Sequence, residues 1–209
     1  MSLISMDKGV GGLYNRLDRH IFQKLKQNDE SITGLRVAFV NDDDGECFFN
    51  SVNWKEDGDC IAKNTQLKRL SIERLELLEE GYSECTRQQL QDFFSCIHRN
   101  SSIHYIQFRQ LTINDEFGGG LIEGLCGHPS LLRLVFFPSS RTRTIPHLED
   151  LDRHHKLGSI GCTAIGKVLK HPNCKLKYLR LSKCQLDDET LGIVCDALGQ
   201  QFIKDFTSK

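Results

Sequence analysis

The chain repeats one short arrangement of apolar and polar positions. An aliphatic residue is followed three positions later by a second one and, two positions after that, by a further apolar residue. Alternating apolar and polar positions predict a strand with one buried face. Because the sequence contains five such copies, we predict five strands. The copies are Ile32/Leu35/Val37, Leu67/Leu70/Ile72, Ile103/Ile106/Phe108, Leu131/Leu134/Phe136 and Leu176/Leu179/Leu181.

Segments with helical periodicity lie between these strands. Leu90, Phe93 and Ile97 recur at the spacing of one helix face before the third copy, and Leu191 and Val194 begin the same pattern after the fifth. Strands that alternate with helices favour parallel pairing, because each helix carries the chain back across the sheet. The pattern therefore predicts an α/β protein.

An asparagine occupies the position three residues before several of these strands. Asn64, Asn100 and Asn173 hold this position in the second, third and fifth copies, and His128 holds it in the fourth. Asparagine tolerates the left-handed backbone conformation that often ends a helix. We therefore interpret these residues as helix ends rather than as ligands.

Two longer matches reveal the type of repeat. Residues 60–72 and 96–108 share Cys-Ile-x-basic-Asn-hydroxyl at a separation of 36 positions, and residues 170–198 contain L-x-x-L-x-L-x-x-C-x-L. The chain thus resembles leucine-rich repeats of the ribonuclease-inhibitor-like type. The resemblance implies an α/β solenoid arc with about five parallel strands on the concave side and helices on the convex side. The strand starts lie 35, 36, 28 and 45 residues apart, against about 20–29 in the family, so we expect irregular repeats.

These features divide the chain into parts. Leu13, Leu17, Ile21, Phe22 and Leu25 fall on one helical face and predict a cap for the first strand. A polar stretch bracketed by prolines lengthens the last spacing and predicts a surface loop. The expected parts are an N-terminal helical cap at 1–31, a repeat domain at 32–201 with a loop insertion at 138–157, and a tail at 202–209.

Apolar run lengths, the first residues and the cysteines indicate where in the cell to expect the protein. No apolar run approaches the roughly 20 residues that span a bilayer, so we expect no membrane association. The first residues lack a basic stretch before an apolar core, so we do not expect secretion. The nine cysteines include no Cys-x-x-Cys pair and predict reduced thiols. We therefore expect a cytoplasmic or nuclear protein.

The candidate chemical motifs are weak. Gly118–Gly120 lacks the Lys-Ser/Thr of a phosphate loop, and Asp42–Glu46 lacks the spacing of a calcium loop. A cluster of metal-ligand types fits no structural zinc pattern. Its members are His154, His155, Cys162, His171 and Cys174. We expect no enzyme activity, no cofactor and no metal site.

Charge is unevenly distributed along the predicted strands. The whole chain has 27 Lys and Arg against 28 Asp and Glu. In contrast, the 25 positions predicted to face outward from the sheet include nine Lys or Arg and one acid, Glu73. Arginine and aromatic residues dominate binding hot spots. The predicted partner-binding residues are Arg36, Arg69, Arg74, Tyr105, Arg109, Arg133, Phe137, Tyr178 and Arg180.

A non-catalytic protein-interaction module follows from this pattern. We expect it to bind an acidic protein partner through the basic concave sheet. Two alternatives stay open. Some leucine-rich-repeat proteins activate small GTPases or otherwise regulate enzymes, and the same basic face could contact nucleic acid, although we do not expect nucleic acid to be the partner. The sequence leaves the oligomeric state open.

Overall fold

The fold is known from a computed structural model. It describes residues 2–6, 19–39, 54–73, 76–77, 84–109, 112–113, 116–137, 157–182, 184 and 186–207. Within these ranges the chain forms eight strands and six helices. In chain order they are β1 (Ser2–Met6), α1 (Arg19–Lys26), β2 (Gly34–Phe39), α2 (Trp54–Lys63), β3 (Arg69–Glu73), β4 (Glu76–Leu77), α3 (Glu84–Arg99), β5 (Tyr105–Arg109), β6 (Thr112–Ile113), α4 (Glu116–Glu123), β7 (Arg133–Phe137), α5 (Gly158–Lys170), β8 (Tyr178–Leu181) and α6 (Asp188–Thr207).

The main sheet confirms the predicted architecture. Its strand order is β1-β2-β3-β5-β7-β8, and the last five strands are parallel. Helices alternate with these strands along the chain, and the result is an α/β arc. The short strands β4 and β6 pair with each other in a separate two-stranded sheet.

Strand β1 was not expected. It pairs antiparallel with β2, from Ser2 opposite Phe39 to Met6 opposite Leu35. The predicted N-terminal cap is therefore part strand, and its described helix is limited to α1. β1 covers the backbone N–H and C=O groups that β2 would otherwise expose at the sheet edge. Five residues without alternation or a nearby turn signal carry too little local information to predict this distant pairing.

Aligned apolar side chains fill the core, as predicted. Leu70, Ile106 and Leu134 are adjacent in the sheet and fully buried. The rings of Phe108 and Phe136 are stacked with their centroids 5.1 Å apart. Leu179 occupies the equivalent position in β8 but is only partly buried, because β8 is the last strand of the sheet.

The asparagines before the strands have a different role from the predicted one. Among the described non-glycine residues, only Asn28 has a positive φ, of 56°. The side chain of Asn100 is instead fully buried. Its Nδ2 donates to the backbone oxygens of Ile61 (2.6 Å) and Asn64 (2.8 Å), while its Oδ1 accepts from the amide of Ile103 (2.8 Å). The residue therefore joins one repeat to the next.

The equivalent residue of the second copy makes the same connection to the repeat before it, and His128 of the fourth copy makes the last one. Asn64 Nδ2 donates to the backbone oxygen of Leu25 at 3.1 Å. His128 Nε2 lies 3.2 Å from the backbone oxygen of Ile97, and Nδ1 accepts from the amide of Ser130, so Nε2 carries the proton. Asn173 is exposed. We call Asn64, Asn100 and His128 the inter-repeat ladder.

The ends of the predicted parts differ from the observed elements. Helix α6 continues to Thr207, past the expected end of the repeat domain at residue 201, because no proline interrupts it. Residues 138–156 of the expected loop lie outside the described residues. Leu157, the last residue of that loop, is fully buried at the start of α5.

Two further expectations concern chemistry and membranes. Of the nine cysteines, seven have described side chains, and all seven are free thiols. Cys47 and the side chain of Cys85 fall outside the description. None of the helices in the described ranges is both long and apolar enough to cross a membrane.

The sheet register predicts the cost of a core truncation. Replacing Ile106 with alanine should lower the free energy of unfolding by about 2–5 kcal/mol, because apolar burial is lost and a cavity remains. Urea denaturation measures this change. Leu191, which is 47% exposed, is the control, and Leu191→Ala should change stability by less than about 0.5 kcal/mol. Equal losses in the two variants would contradict the register.

The inter-repeat ladder provides a second test. Asn100→Ala should cost at least about 3 kcal/mol, because several buried backbone groups lose their partners at about 1–3 kcal/mol each. Asn173→Ala makes the same chemical change at the equivalent but exposed position and should be nearly neutral. Thermal melts of both variants measure the difference. A mild effect of Asn100→Ala would mean that water replaces the lost bonds.

Acid sensitivity should follow from His128. Burial lowers the pKa of His128 to about 4, below the usual value of about 6.5, so the unfolded chain takes up the proton first as the pH falls. The associated stability is present above pH 6.5 and is lost between pH 6.5 and about 4. The full loss is about 3 kcal/mol, because one unit of pKa difference corresponds to about 1.4 kcal/mol.

The variant that tests this is His128→Asn, which places the side chain found in the rest of the inter-repeat ladder. We expect its stability to fall less than that of the wild type when urea denaturation is repeated from pH 7 to pH 4.5. Parallel pH profiles for the two proteins would show that another group causes the acid sensitivity.

Candidate partner-binding face

The parallel strands of the sheet begin in the same way. The backbone oxygen of Lys68 accepts from the amides of both His104 (3.0 Å) and Tyr105 (3.2 Å). The backbone oxygens of Thr33, His104 and Leu132 each accept two consecutive amides in the same manner. Consecutive residues therefore reach the solvent side at each strand start, as the exposure of both Lys68 and Arg69 shows.

The outward positions of the sheet form three rows that run across the strands. The register defines an amino-terminal row of Gly34, Arg69, Tyr105, Arg133 and Tyr178. It also defines a middle row of Arg36, Ser71, Gln107, Val135 and Arg180 and a carboxyl-terminal row of Ala38, Glu73, Arg109 and Phe137. The strand spacing within each row is about 4.8 Å.

An internal carboxylate partly neutralises one side of this face. Glu73 is buried, and its Oε2 lies 2.6 Å from Arg36 Nη2. Its Oε1 lies 3.5 Å from Arg109 Nη1 and accepts from the hydroxyl of Ser71 at 3.3 Å. The single acid of the face, which the sequence places outward, is therefore enclosed by two arginines. Those two arginines already have an anionic partner.

Aromatic contacts occupy the arginines near Phe137. The guanidinium carbon of Arg180 lies 4.6 Å from the centroid of the Phe137 ring, and that of Arg109 lies 6.0 Å from it. Arg180 also donates from Nε to the hydroxyl of Ser182. Val135 belongs to the middle row, between Gln107 and Arg180, but is only 2% exposed.

The amino-terminal row alternates arginine and tyrosine. Arg69 and Arg133 are the register neighbours of Tyr105, and the guanidinium carbon of Arg133 lies 5.9 Å from the centroid of the Tyr178 ring. Burial raises the pKa of Tyr105 above its usual value, and the nearby arginines oppose this shift only in part. Because its pKa is raised, the phenol is protonated at neutral pH, and it donates to Gln107 Oε1 at 2.6 Å.

A groove of about 500 Å³ lies along this row. The described residues of its walls include basic, polar and apolar side chains but no acid. They are Lys68, Arg69, His104, Tyr105, Gln107, Leu132 and Arg133. Among the described residues, Arg69 and Arg133 form no ion pair. The groove is thus the part of the described face whose arginines have no acidic partner within that description.

The structure brings most of the predicted binding residues together but separates them into two groups. Arg36 and Arg109 are paired with Glu73, whereas Arg69 and Arg133 border the groove. Arg74 lies outside the described residues. The predicted binding residues do not include Lys68, His104, Gln107 and Leu132, which also line the groove.

Other candidate sites offer little chemistry. A second concavity, of about 570 Å³ beside α2, has acids and bases in its walls, and Lys26 there pairs with Glu56 at 2.8 Å. A Cβ atom on Gly119 would lie 2.7 Å from a side-chain carbon of Ile160, so this glycine allows close helix packing. In the described part of the chain, no three His, Cys, Asp or Glu side chains are arranged to hold a metal ion.

Comparison with known proteins supports the fold. No protein-family model matches the sequence, and no curated protein is significantly similar to it. A solved structure of leiomodin-1 actin-binding site 2 aligns with a TM-score of 0.53 and 17% identity over 93% of this chain and 95% of that chain. This likeness shows a fold of the leucine-rich-repeat type. The tropomodulin C-terminal domain of Caenorhabditis elegans aligns over 91% of this chain and 96% of that chain, with 10% identity and a TM-score of 0.49.

Proposed function

We propose that the chain is a non-catalytic protein-interaction module of the ribonuclease-inhibitor-like repeat type. Its exposed sheet face binds an acidic segment of a partner protein. The supporting observation is the groove along the amino-terminal row, whose walls contain Lys68, Arg69 and Arg133 without an acid. Complementary charge steers association and selects the partner.

The two sides of the face contribute unequally to this proposal. An acidic ligand at the carboxyl-terminal row would have to displace Glu73 from Arg36 and Arg109, both of which it already contacts. At the amino-terminal row no such competition exists. Arginine and tyrosine, the residues that alternate there, are enriched among binding hot spots. Arg69, Tyr105, Arg133 and Tyr178 form the centre of the proposed site, with Phe137 and Arg180 beside it.

We also propose the boundaries of this module, one further residue of its binding face and its location in the cell. The repeat domain begins at residue 32 and includes α6 to Thr207, the N-terminal segment 1–31 caps it, and the segment at 138–156 is an insertion. Arg74 belongs to the proposed face on the basis of the sequence alone. The proposed location is the cytoplasm.

Actin is the first partner to test. The leiomodin-1 structure that shares the fold is named for actin binding. Co-sedimentation with filamentous actin and anisotropy with monomeric actin distinguish the two forms as ligands. Failure of both would leave the proposed acidic-segment site standing with a different partner.

A charge reversal tests the proposed site. Arg69→Glu/Arg133→Glu should weaken binding of a fluorescent Asp/Glu-rich peptide at least about tenfold, because two unpaired cations of the groove become anions. The melting temperature should stay nearly unchanged, since neither arginine stabilises the fold through an ion pair within the described residues. Fluorescence anisotropy at 150 mM salt measures the affinity.

The control reverses the same number of charges elsewhere. Lys55 and Lys63 are exposed on α2, away from the sheet face, and Lys55→Glu/Lys63→Glu should bind the peptide almost as well as the wild type. Equal losses in the two double variants would indicate a general charge effect. Unchanged binding by Arg69→Glu/Arg133→Glu would exclude the groove as the site.

A further inference from the structure

We propose that the groove of the amino-terminal row is a phosphate site. It receives a phosphorylated serine or threonine side chain from an extended protein segment, and Arg69 and Arg133 bind the phosphate from both sides of Tyr105. This inference rests on the proposed function, because it specifies the chemistry of the acidic partner.

The first argument is a comparison of two positions within the same sheet. On β3, Glu73 binds Arg36 from β2 and Arg109 from β5, the strands on either side. On β5, the amino-terminal row repeats this arrangement, with arginines on both flanking strands. However, the central residue there is Tyr105 instead of an acid. Among the described residues no acid lies between these two arginines, so an anion at this position would come from a ligand.

The second argument concerns the amount of charge. Lys68 lines the groove together with Arg69 and Arg133, which gives three cations. A single carboxylate carries one negative charge, whereas a phosphate monoester carries about −1.5 to −2 at pH 7 and offers three strong acceptor oxygens. Arginine binds phosphate through two parallel hydrogen bonds. A phosphate monoester thus matches the groove better than one carboxylate does.

Distance and hydrogen bonding agree with this assignment. Two strand spacings separate Arg69 from Arg133, or about 10 Å between backbones, which two long side chains can close around a group above Tyr105. The Tyr105 hydroxyl donates to Gln107 Oε1, which leaves the Gln107 amide nitrogen available as a donor. Leu132 adds an apolar wall for the methylene or methyl group beside the phosphate.

The shape of the site favours a peptide as the source of the phosphate. The amino-terminal row continues from the groove to Tyr178, whose side chain is 47% exposed. An extended segment lying across the strands would contact this ring after its phosphorylated residue has entered the groove. Recognition of phosphorylated motifs by arginine clusters is a recurring mode of peptide binding.

The experiment compares three fluorescent 11-residue peptides that differ only at the centre. One carries serine, one phosphoserine, and one a Glu-Glu pair that supplies two negative charges. With the full chain at 150 mM salt, we expect the phosphoserine peptide to bind at least about tenfold tighter than the Glu-Glu peptide. The serine peptide should bind most weakly.

A conservative variant separates hydrogen-bond geometry from charge. Arg133→Lys keeps the positive charge but loses the planar pair of donors. It should therefore abolish most of the phosphoserine preference while retaining binding of the Glu-Glu peptide. Lys63→Arg, the reverse exchange on α2, is the control and should leave all three affinities unchanged.

The outcomes distinguish this inference from the proposed function. Equal affinity for the phosphoserine and Glu-Glu peptides would overturn the phosphate site while supporting the acidic-segment site. Absence of binding by both would overturn the two together. A single-stranded RNA that binds more tightly than the phosphoserine peptide, through the same arginines, would also overturn both and assign the face to nucleic acid.

Discussion

Hydrogen bonds from one buried side chain to the backbone of two repeats set the stacking on which the sheet depends. Asn100 contacts the end of the preceding repeat at Ile61 and Asn64 and the approach to its own strand at Ile103. Backbone hydrogen bonds are similar at several offsets, and the buried apolar face excludes a slip of one residue but not of two. The buried amide accepts only one offset. It thereby aligns Arg69, Tyr105 and Arg133 on the exposed face as well as Leu70 and Ile106 beneath it.

The sequence predicts the repeat well because the same short pattern of apolar residues, which is weak evidence on its own, occurs five times. Leu70, Ile106 and Leu134 share a spacing that identifies the core side of each strand, and the helices between the strands indicate the parallel direction. β1 escapes prediction because its partner is separated in sequence and no repeat supports it. The asparagine positions are recognised, but their role depends on backbone groups about 36–39 residues away.

The candidate site is predicted less completely than the core. Alternation identifies which residues leave the sheet, yet it carries no information about which of them pair there. Glu73 illustrates this limit, because its contact with Arg36 runs diagonally between neighbouring strands. One internal acid lowers the positive charge on one side of a basic face and leaves the charge of the other side unchanged. Counting charges along the strands cannot reveal that asymmetry.

Where the parallel strands begin, one backbone oxygen accepts from two consecutive amides, and this arrangement determines which substitutions leave the fold intact. Each shared backbone oxygen presents two adjacent side chains to solvent, as at Lys68–Arg69 and His104–Tyr105. Since backbone groups alone form these bonds, either side chain can be exchanged without disturbing them. Successive repeats therefore offer pairs of positions that can drift toward a new ligand while the interior stays constant, and related chains with the same core can acquire unrelated specificities.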